Sequence, residues 1–333
     1  MNRGSADSQQ GSASVLVLSV LVFLSALFLG AVTFIELSAH ALRRSELQDE
    51  ELRALRRAAQ DAVEALLADP TPFADAPTDP VWSWLALPRE DGLAVRLEDL
   101  SSRLGANWIR KELLQDLGVL RPGRTASELQ QFREDSGLHL NLVEAYAPFI
   151  QEQELERLFT AYGWFNINIT DEFVLRRLHW LRGADLQAAE SFRIMVQQAR
   201  IQKRSIDPEA LPEFLGEENY RLLFPVINAE AAMNVHFAPE AVLEGLFRHY
   251  GEPAGNLSRL LANRRGAELT QADLQDLLRD RTDRRSPLAP FLGLQTWFWR
   301  ITVEGRDRQL AWVVARVPRA DLLPEYRRLE ESR

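Results

Sequence analysis

Apolar residues fill Val15–Leu37, and no charged side chain interrupts them before Glu36. A helix rises about 1.5 Å per residue and a hydrocarbon core is about 30 Å thick, so roughly 20 such residues cross a bilayer. The run exceeds the apolar core of a cleaved secretory signal, which is about 7 to 15 residues. Beyond it the pattern turns amphipathic without a break. From Glu36 through Leu67 there is no proline or glycine, and Leu42, Glu46, Leu52, Leu55, Arg56, Ala59, Val63 and Leu66 follow at spacings mostly of three and four. This predicts one helix of about 55 residues, about 80 Å long, with its first half in lipid and its end at Pro70 and Pro72.

The next stretch, Asp69–Pro88, holds prolines 70, 72, 77, 80 and 88 with Trp82 and Trp84. It reads as an irregular connector anchored by its indoles. In Leu93–Leu100 the alternation of Leu93, Val95 and Leu97 with polar residues predicts a half-buried strand. A second strand signal comes about 200 residues later: Thr296–Val303 and Gln309–Val317 flank the turn Glu304-Gly305-Arg306-Asp307 as a hairpin. Between them the periodicity is helical throughout, punctuated by Gly, Pro, Asn and Asp. Two β pieces in separate domains would each lack a partner sheet. The expectation is therefore one sheet carrying an inserted helical region.

That region contains a repeat. Asn166–Leu175 aligns without gaps to Asn234–Leu243, each reading Asn, aliphatic, Asn or His, apolar, Thr or Ala, any residue, Glu, any residue, Val, Leu. The unit looks like a helix start, with Thr170 or Asp171 and the Ala238-Pro239 pair at the cap, and Glu172 and Glu240 in the first turn complementing the helix dipole. Asn166, Asn168, Asn234 and His236 are candidate site residues, and local turn chemistry is favoured for them over a ligand role. Gly105-Ala106-Asn107-Trp108 matches the unit too weakly to be counted as a third copy.

Net charge is −9 and the pI is near 5.3, which argues against a nucleic-acid-binding surface over the whole molecule. The absence of cysteine excludes disulfides, thiolate metal sites and cysteine nucleophiles. His40, His139, His179, His236 and His249 fall into no metal spacing, and there is no Gly-rich phosphate loop and no Gly-x-Ser-x-Gly. No catalytic residue is assigned and no enzyme is expected. Asp280 and Asp283 stand among Arg279, Arg281, Arg284 and Arg285, as in a solvated charged loop.

Ahead of the apolar run stands a polar leader, Met1–Gly11, then Ser12-Ala13-Ser14-Val15. A short leader ending in glycine before a helix of this kind resembles the type IV pilin and pseudopilin signature. The resemblance implies cleavage after Gly11 by a prepilin peptidase, leaving Ser12 first. Most such proteins carry glutamate at the fifth mature position, where this chain has Leu16. Arg3 is offset by Asp7, and Arg43 and Arg44 lie beyond the span, against the positive-inside tendency.

The Asn-aliphatic-Asn unit resembles two families. In helix-hairpin-helix DNA-binding modules it precedes a glycine hairpin whose amides meet phosphate; here that hairpin would be Leu178–Asp185, with Asp185 in place of the second glycine, and the other copy offers Gly251-Glu252-Pro253. The second family is the protein K minor pseudopilin of type II secretion. Ile206–Gly216, Tyr220, Phe224-Pro225, Asn234–Leu243, Arg264-Arg265 and the hairpin Trp297–Val317 resemble its second half in order. That family also lacks the fifth-position glutamate, so Leu16 agrees with it.

The protein K resemblance implies an α+β fold: a long N-terminal transmembrane, pilin-like helix, a small antiparallel sheet and a large inserted, mostly helical region. The expected organisation is leader 1–11, membrane and amphipathic helix 12–69, connector and first strands 70–105, inserted helical domain 106–292, and hairpin with tail 293–333. It further implies a subunit at the tip of a periplasmic pseudopilus that helps initiate assembly for protein export. It would be anchored by a single pass in the bacterial inner membrane with its soluble domain in the periplasm. Its partners would be other minor pseudopilins and the prepilin peptidase, without nucleic acid. Calcium is implied by the family alone, and no ligands for it match residue by residue. The alternatives are a membrane-anchored helix-hairpin-helix protein for DNA uptake, or a minor pilin of a type IV pilus.

Overall fold

The computed structural model describes residues 47–71, 74–86, 89, 91–136, 143–202, 204–266, 269–278, 286–317 and 325–332. The leader and apolar run, with Gly11, Ser12 and Leu16, lie outside the described residues, as do residues 279–285. The chain divides into two compact units, Met1–Arg56 and Arg57–Arg333. In the first, the described residues 47–56 are helical; the helix, α1, ends at residue 67. Its portion in the second unit buries Ala58, Ala59, Ala62, Val63 and Leu66, a stripe at helical spacing. Asp61 faces outward and pairs with Arg89 at 3.0 Å. Among the described residues no helix is long and apolar enough to cross a membrane.

The connector is more ordered than its prolines suggest. Pro80 opens a short helix, α2 (Pro80–Ala86), because the first helical position needs no N–H donor. Trp82 donates from its indole nitrogen to the Ala76 carbonyl at 2.8 Å and packs on Phe237 and Trp299 at centroid distances of 5.7 and 6.0 Å.

Strand β1 (Ala94–Asp99) leads into three modules built alike. The first comprises β2 (Leu104–Gly105), α3 (Lys111–Leu117), α4 (Ala126–Ser136), α5 (Glu152–Leu158) and β3 (Phe159–Thr160). The second comprises β4 (Phe165–Asn166), α6 (Glu172–Leu181), α7 (Leu186–Ile201), α8 (Leu211–Leu215), α9 (Glu217–Leu223) and β5 (Ile227–Asn228). The third runs β6 (Met233–Asn234), α10 (Glu240–His249), α11 (Ala254–Gly266), α12 (Gln271–Leu277) and β7 (Leu292–Gly293). In each, the entry strand pairs in parallel with the exit strand, so the module closes on itself. These bridges add short strands to the expected mostly helical region, where two-residue strands leave no alternation to read. One buried apolar core runs through all three modules, from Leu104 to Leu294.

The chain then returns as β8 (Phe298–Glu304), β9 (Gln309–Val317) and β10 (Glu325–Ser332), giving an antiparallel sheet in the order β1-β8-β9-β10. Ala94 lies opposite Glu304 and Asp99 opposite Trp299, which is the pairing expected of one sheet interrupted by an insertion. Along β8, Ile301 and Val303 are fully buried while Arg300, Thr302 and Glu304 are not, as the alternation predicts. The strand begins at Phe298 rather than Thr296, because the Thr296 amide donates to Asp75 and the Trp297 amide to the Ser101 hydroxyl instead of joining the ladder. The tail is also corrected. Glu325–Ser332 is an edge strand, although its charged composition carries little β signal. Arg328 lies over the Trp312 ring at 4.8 Å.

Candidate functional site

The repeat reads differently once all three copies are superposed by register. Each module enters through two strand residues and a three-residue turn, at 104–108, 165–169 and 233–237. Gly105, Asn166 and Asn234 therefore occupy one position, and Asn107, Asn168 and His236 another. At the first position Asn166 accepts from the Asn168 amide at 2.7 Å and Asn234 from the His236 amide at 2.9 Å, closing the turn. Their side-chain N–H groups leave the module: Asn166 donates to the Glu230 and Pro290 carbonyls, Asn234 to the Asp75 carbonyl and Thr296 hydroxyl. In the first module a side chain would clash, since a Cβ on Gly105 would lie 1.8 Å from the Trp108 indole nitrogen.

The second position reaches the loop before a later helix. Asn168 exchanges two hydrogen bonds with the backbone of Ile206, at 2.8 and 2.9 Å, and His236 bonds the backbone of Leu269. Asn107 accepts from the Tyr146 hydroxyl and donates to the Ala161 carbonyl at 3.0 Å. Burial holds the His236 pKa below its ordinary value, with the Leu269 contact opposing and Arg264 adding a smaller push down. The ring is thus kept neutral, as a donor to backbone rather than a cation.

A third element is one that sequence reasoning missed. An arginine on the second helix of each module reaches back to the turn: Arg133 donates to the Ile109 carbonyl, Arg200 to those of Ile167 and Thr170, Arg264 to those of Val235 and Ala238. Ile109, Thr170 and Ala238 are the same register position. Burial pushes Arg133 and Arg200 down to about 10 and lowers Arg264 also. All three stay charged at neutral pH, with carbonyl dipoles as partners and Glu172 as counter-charge for Arg200 at 2.8 Å.

The modules meet the sheet at a buried polar junction. Arg316 on β9 forms two bonds with Asp75 of the connector, at 2.7 and 2.9 Å, and donates to the Tyr326 hydroxyl on β10. Asp99, at the end of β1, accepts from the Ser101 and Ser102 amides and hydroxyls and from the Thr296 hydroxyl. Burial pushes Asp75 up to about 7, opposed chiefly by Arg316, and raises Asp99 against its hydroxyl and amide donors.

Among the described residues one acidic group could be considered for a cation: Asp69, Asp75 and Asp79 place carboxylate oxygens within 4.8 Å of one another. Calcium requires about six to eight oxygen ligands. Both Asp75 oxygens already face Arg316, Asp69 takes the Thr71 amide and hydroxyl, and Asp79 takes the Ala76 amide. These residues do not fit a calcium ion, because the guanidinium already supplies the compensating charge. The glycine hairpins are equally unsuited to phosphate. Gly183 and Gly251 take the left-handed turns at φ 108° and 68°, but the Asp185 carboxylate occupies the start of α7 by accepting from the Ala188 amide at 2.7 Å.

Comparison with solved structures finds a likeness along most of the chain. It is to the GspK-GspI-GspJ complex from the enterotoxigenic Escherichia coli Type 2 Secretion System. The match covers 87% of this chain and 98% of that one, at 14% identity and a TM-score of 0.35. At that level it assigns neither activity nor partner. No family model matches the sequence, and no curated protein does.

Of the four named repeat residues, the structure brings Asn166 and Asn168, and Asn234 and His236, together within their own turns and leaves the two pairs in separate modules. Two signals for what was missed were present. Arg133, Arg200 and Arg264 each stand near the end of the second helix of a module, and Asn228 ends an exit strand as Asn166 ends an entry strand. Asn228 closes its turn in the same manner, accepting from the Glu230 amide at 3.0 Å.

Proposed function

We propose that the chain is a minor pseudopilin of a type II secretion-like system, resembling protein K, which sits at the pseudopilus tip and helps initiate assembly for protein export. The observation that carries the reading is the pairing of β1 with β8 across three closed helical modules, behind a helix whose sequence upstream is a glycine-ended leader and an apolar run. A small sheet that tolerates an insertion of this size without losing register suits a subunit with nothing stacked above it. The role is structural, not catalytic. The apolar run Val15–Leu37 would anchor the chain by one pass in the inner membrane, with the soluble domain in the periplasm and other minor pseudopilins as partners.

Processing tests it. Co-expression of the full chain with a prepilin peptidase should yield a mature protein beginning at Ser12 by intact mass, and Gly11→Leu should block the cut. A product that keeps Met1 in the presence of an active peptidase, or that begins beyond Phe34, defeats the reading.

A further inference from the structure

The two edges of the sheet are finished differently. Along β10 the register slips at a bulge between Arg328 and Glu330, and Arg327 and Arg328 are exposed. Bulges and charged side chains are the devices that keep an edge strand from pairing with another chain. In β1 the six residues pair with β8 in unbroken register, without a bulge. Its charged side chains turn back onto β8, where Arg96 pairs with Glu304 at 3.2 Å and Glu98 with Arg300 at 3.0 Å.

The direction of the β1 backbone groups follows from the register. The Leu100 amide donates to the Phe298 carbonyl at 2.9 Å, one step beyond the pairing of Asp99 with Trp299. Bonded and non-bonded pairs alternate in an antiparallel ladder. Arg96 and Glu98 therefore bond to β8, while the N–H and C=O groups of Val95 and Leu97 point away from it, and no group among the described residues bonds them. The side chains agree: Val303 and Ile301 are fully buried, whereas Val95 and Leu97 opposite them are half-buried. The apolar face of the sheet thus opens to water along β1.

At Glu98 this edge adjoins a cleft of about 540 Å³ between α5 and the strands β1 and β8. The guanidinium groups lining it are engaged, Arg103 and Arg300 by Glu98 and Arg157 by Glu154. Glu144, Glu152 and Glu156 also line it, exposed and without an arginine partner among the described residues. We propose that β1 accepts an extended segment of another protein as a fifth strand, with apolar side chains beside Val95 and Leu97 and lysine or arginine on the opposite face, toward the cleft. The outward N–H and C=O groups specify a strand as occupant, since main-chain bonds to a sheet edge supply the affinity and pockets for alternate side chains the specificity. Successive side chains of a strand point to opposite faces, so one face can be apolar while the other answers the carboxylates. A helix would leave the β1 groups unbonded. A second copy of the chain, at net charge −9, is disfavoured by repulsion. The inference goes beyond the assembly reading and stands without it.

Residue-resolved amide hydrogen exchange on the full chain in a non-ionic detergent tests it. In the free chain the Val95 and Leu97 amides should exchange fast and those of Arg96 and Glu98 slowly. A short peptide of alternating valine and lysine should slow Val95 and Leu97. The same peptide N-methylated on the backbone nitrogens of one edge keeps its charge but loses those donors, and should bind weakly or not at all; a glutamate-for-lysine peptide should bind less tightly than the lysine one. Val95→Pro removes an N–H that faces away from β8, the one place a strand tolerates proline. It should abolish the peptide's effect on Leu97 while Arg96 and Glu98 stay slow. Glu156→Lys should weaken binding about two- to fivefold. No slowing of Val95 and Leu97 by the lysine peptide, equal binding of the N-methylated peptide, or equal binding of the glutamate one overturns the proposal. Slow exchange of both amides in the free chain overturns it too, assigning the edge to another segment of the same chain, or to a second copy where the protection rises with protein concentration.

Discussion

Asp75 and Arg316 stand 241 residues apart in sequence and face each other through two hydrogen bonds, each side chain only 3% exposed. The pair fixes the connector to the third sheet strand. Asp75 also carries the neighbouring structure on its backbone: its amide donates to the Leu294 carbonyl at 2.7 Å and its carbonyl accepts from Asn234. Removing one partner of a buried pair costs about 3 to 5 kcal/mol, whereas replacing both by groups of similar shape is often close to neutral. Arg316→Met alone should therefore lower unfolding stability by about that amount, and the double variant Asp75→Asn with Arg316→Met by less. Urea unfolding of the full chain in detergent measures both. A single variant within about 1 kcal/mol of the wild type would remove the pair from its place in the fold.

The pH dependence follows from the same carboxyl. Burial raises Asp75 from 3.8 in the unfolded chain to about 7 in the folded one, and Asp79 to about 6, so the native state holds more protons than the unfolded state between those limits. Stability then falls as pH rises from about 4 toward 7. Asp99, Asp171 and Glu230 are raised by burial and act in the same direction; His179 and His236, lowered by burial, act oppositely below their ordinary value. The readout is a difference between proteins. Asp75→Asn should flatten the stability profile between pH 4.5 and 7 relative to wild type, and an unchanged slope would contradict the assigned direction.

Two of the arginine clamps give parallel predictions. Loss of Arg264 leaves the Val235 and Ala238 carbonyls without that donor, and loss of Arg200 leaves Ile167, Thr170 and Glu172. Arg264→Met should cost about 2 to 3 kcal/mol, and Arg200→Met more. Arg264→Lys should recover only part, because one ammonium cannot copy the planar fork that spans two carbonyls. Hydrogen exchange should localise the loss to the turn 233–237 and the start of α10. Full rescue by lysine would show that charge alone matters there.

How much of this was legible depends on whether a feature is local. The hairpin announced itself through Ile301 and Val303 alternating with polar neighbours, and β1 through Val95 and Leu97. The entry turns were legible at Asn166 and Asn234 because both keep the side chain that closes the turn. The first copy was faint for a packing reason: the Trp108 indole covers the place where an asparagine would stand, so only Gly105 fits. The arginine clamps lie 24, 30 and 26 residues beyond the carbonyls they share in register, with unequal loops between, so no fixed spacing exposes them. Asp75 with Arg316 has no local signature at all. Nothing in a proline-rich connector specifies a partner on the third sheet strand.

Gly105→Ala isolates that packing argument. The added methyl would meet Trp108 indole atoms at 1.8 to 2.3 Å, well inside contact distance, and Trp108 is itself buried. The tryptophan or the β2–β3 bridge must move, at a cost of about 1 to 3 kcal/mol or more. Gly118→Ala is a comparison of a different kind, with open space around the added carbon but a φ of 66° that alone disfavours a side chain. It should cost about 1 to 2 kcal/mol without disturbing Trp108. Tryptophan fluorescence separates the two, shifting for Gly105→Ala only.

The last prediction concerns assembly, and its logic is charge pairing in lipid. A charged group without a partner in hydrocarbon is costly, so pilin-type helices are expected to stack where a fifth-position glutamate of one subunit meets the N-terminal amine of the next. If the chain is cut after Gly11 as proposed, Leu16 at that position would let it offer the Ser12 amine to a glutamate below it but no carboxylate to an amine above it. Its assembly contacts should be one-sided. The processed full chain, mixed with other minor pseudopilins of a type II secretion system, should form a complex of defined mass by light scattering and should not polymerise alone. Leu16→Glu should make it competent to be followed by a further subunit, seen as longer assemblies containing it internally. Fibres formed by the wild type alone, or no complex with any other minor pseudopilin, would refute the tip position. Longer assemblies after Leu16→Glu but not after Leu16→Gln would place the limit on charge rather than on the bulk of the helical modules.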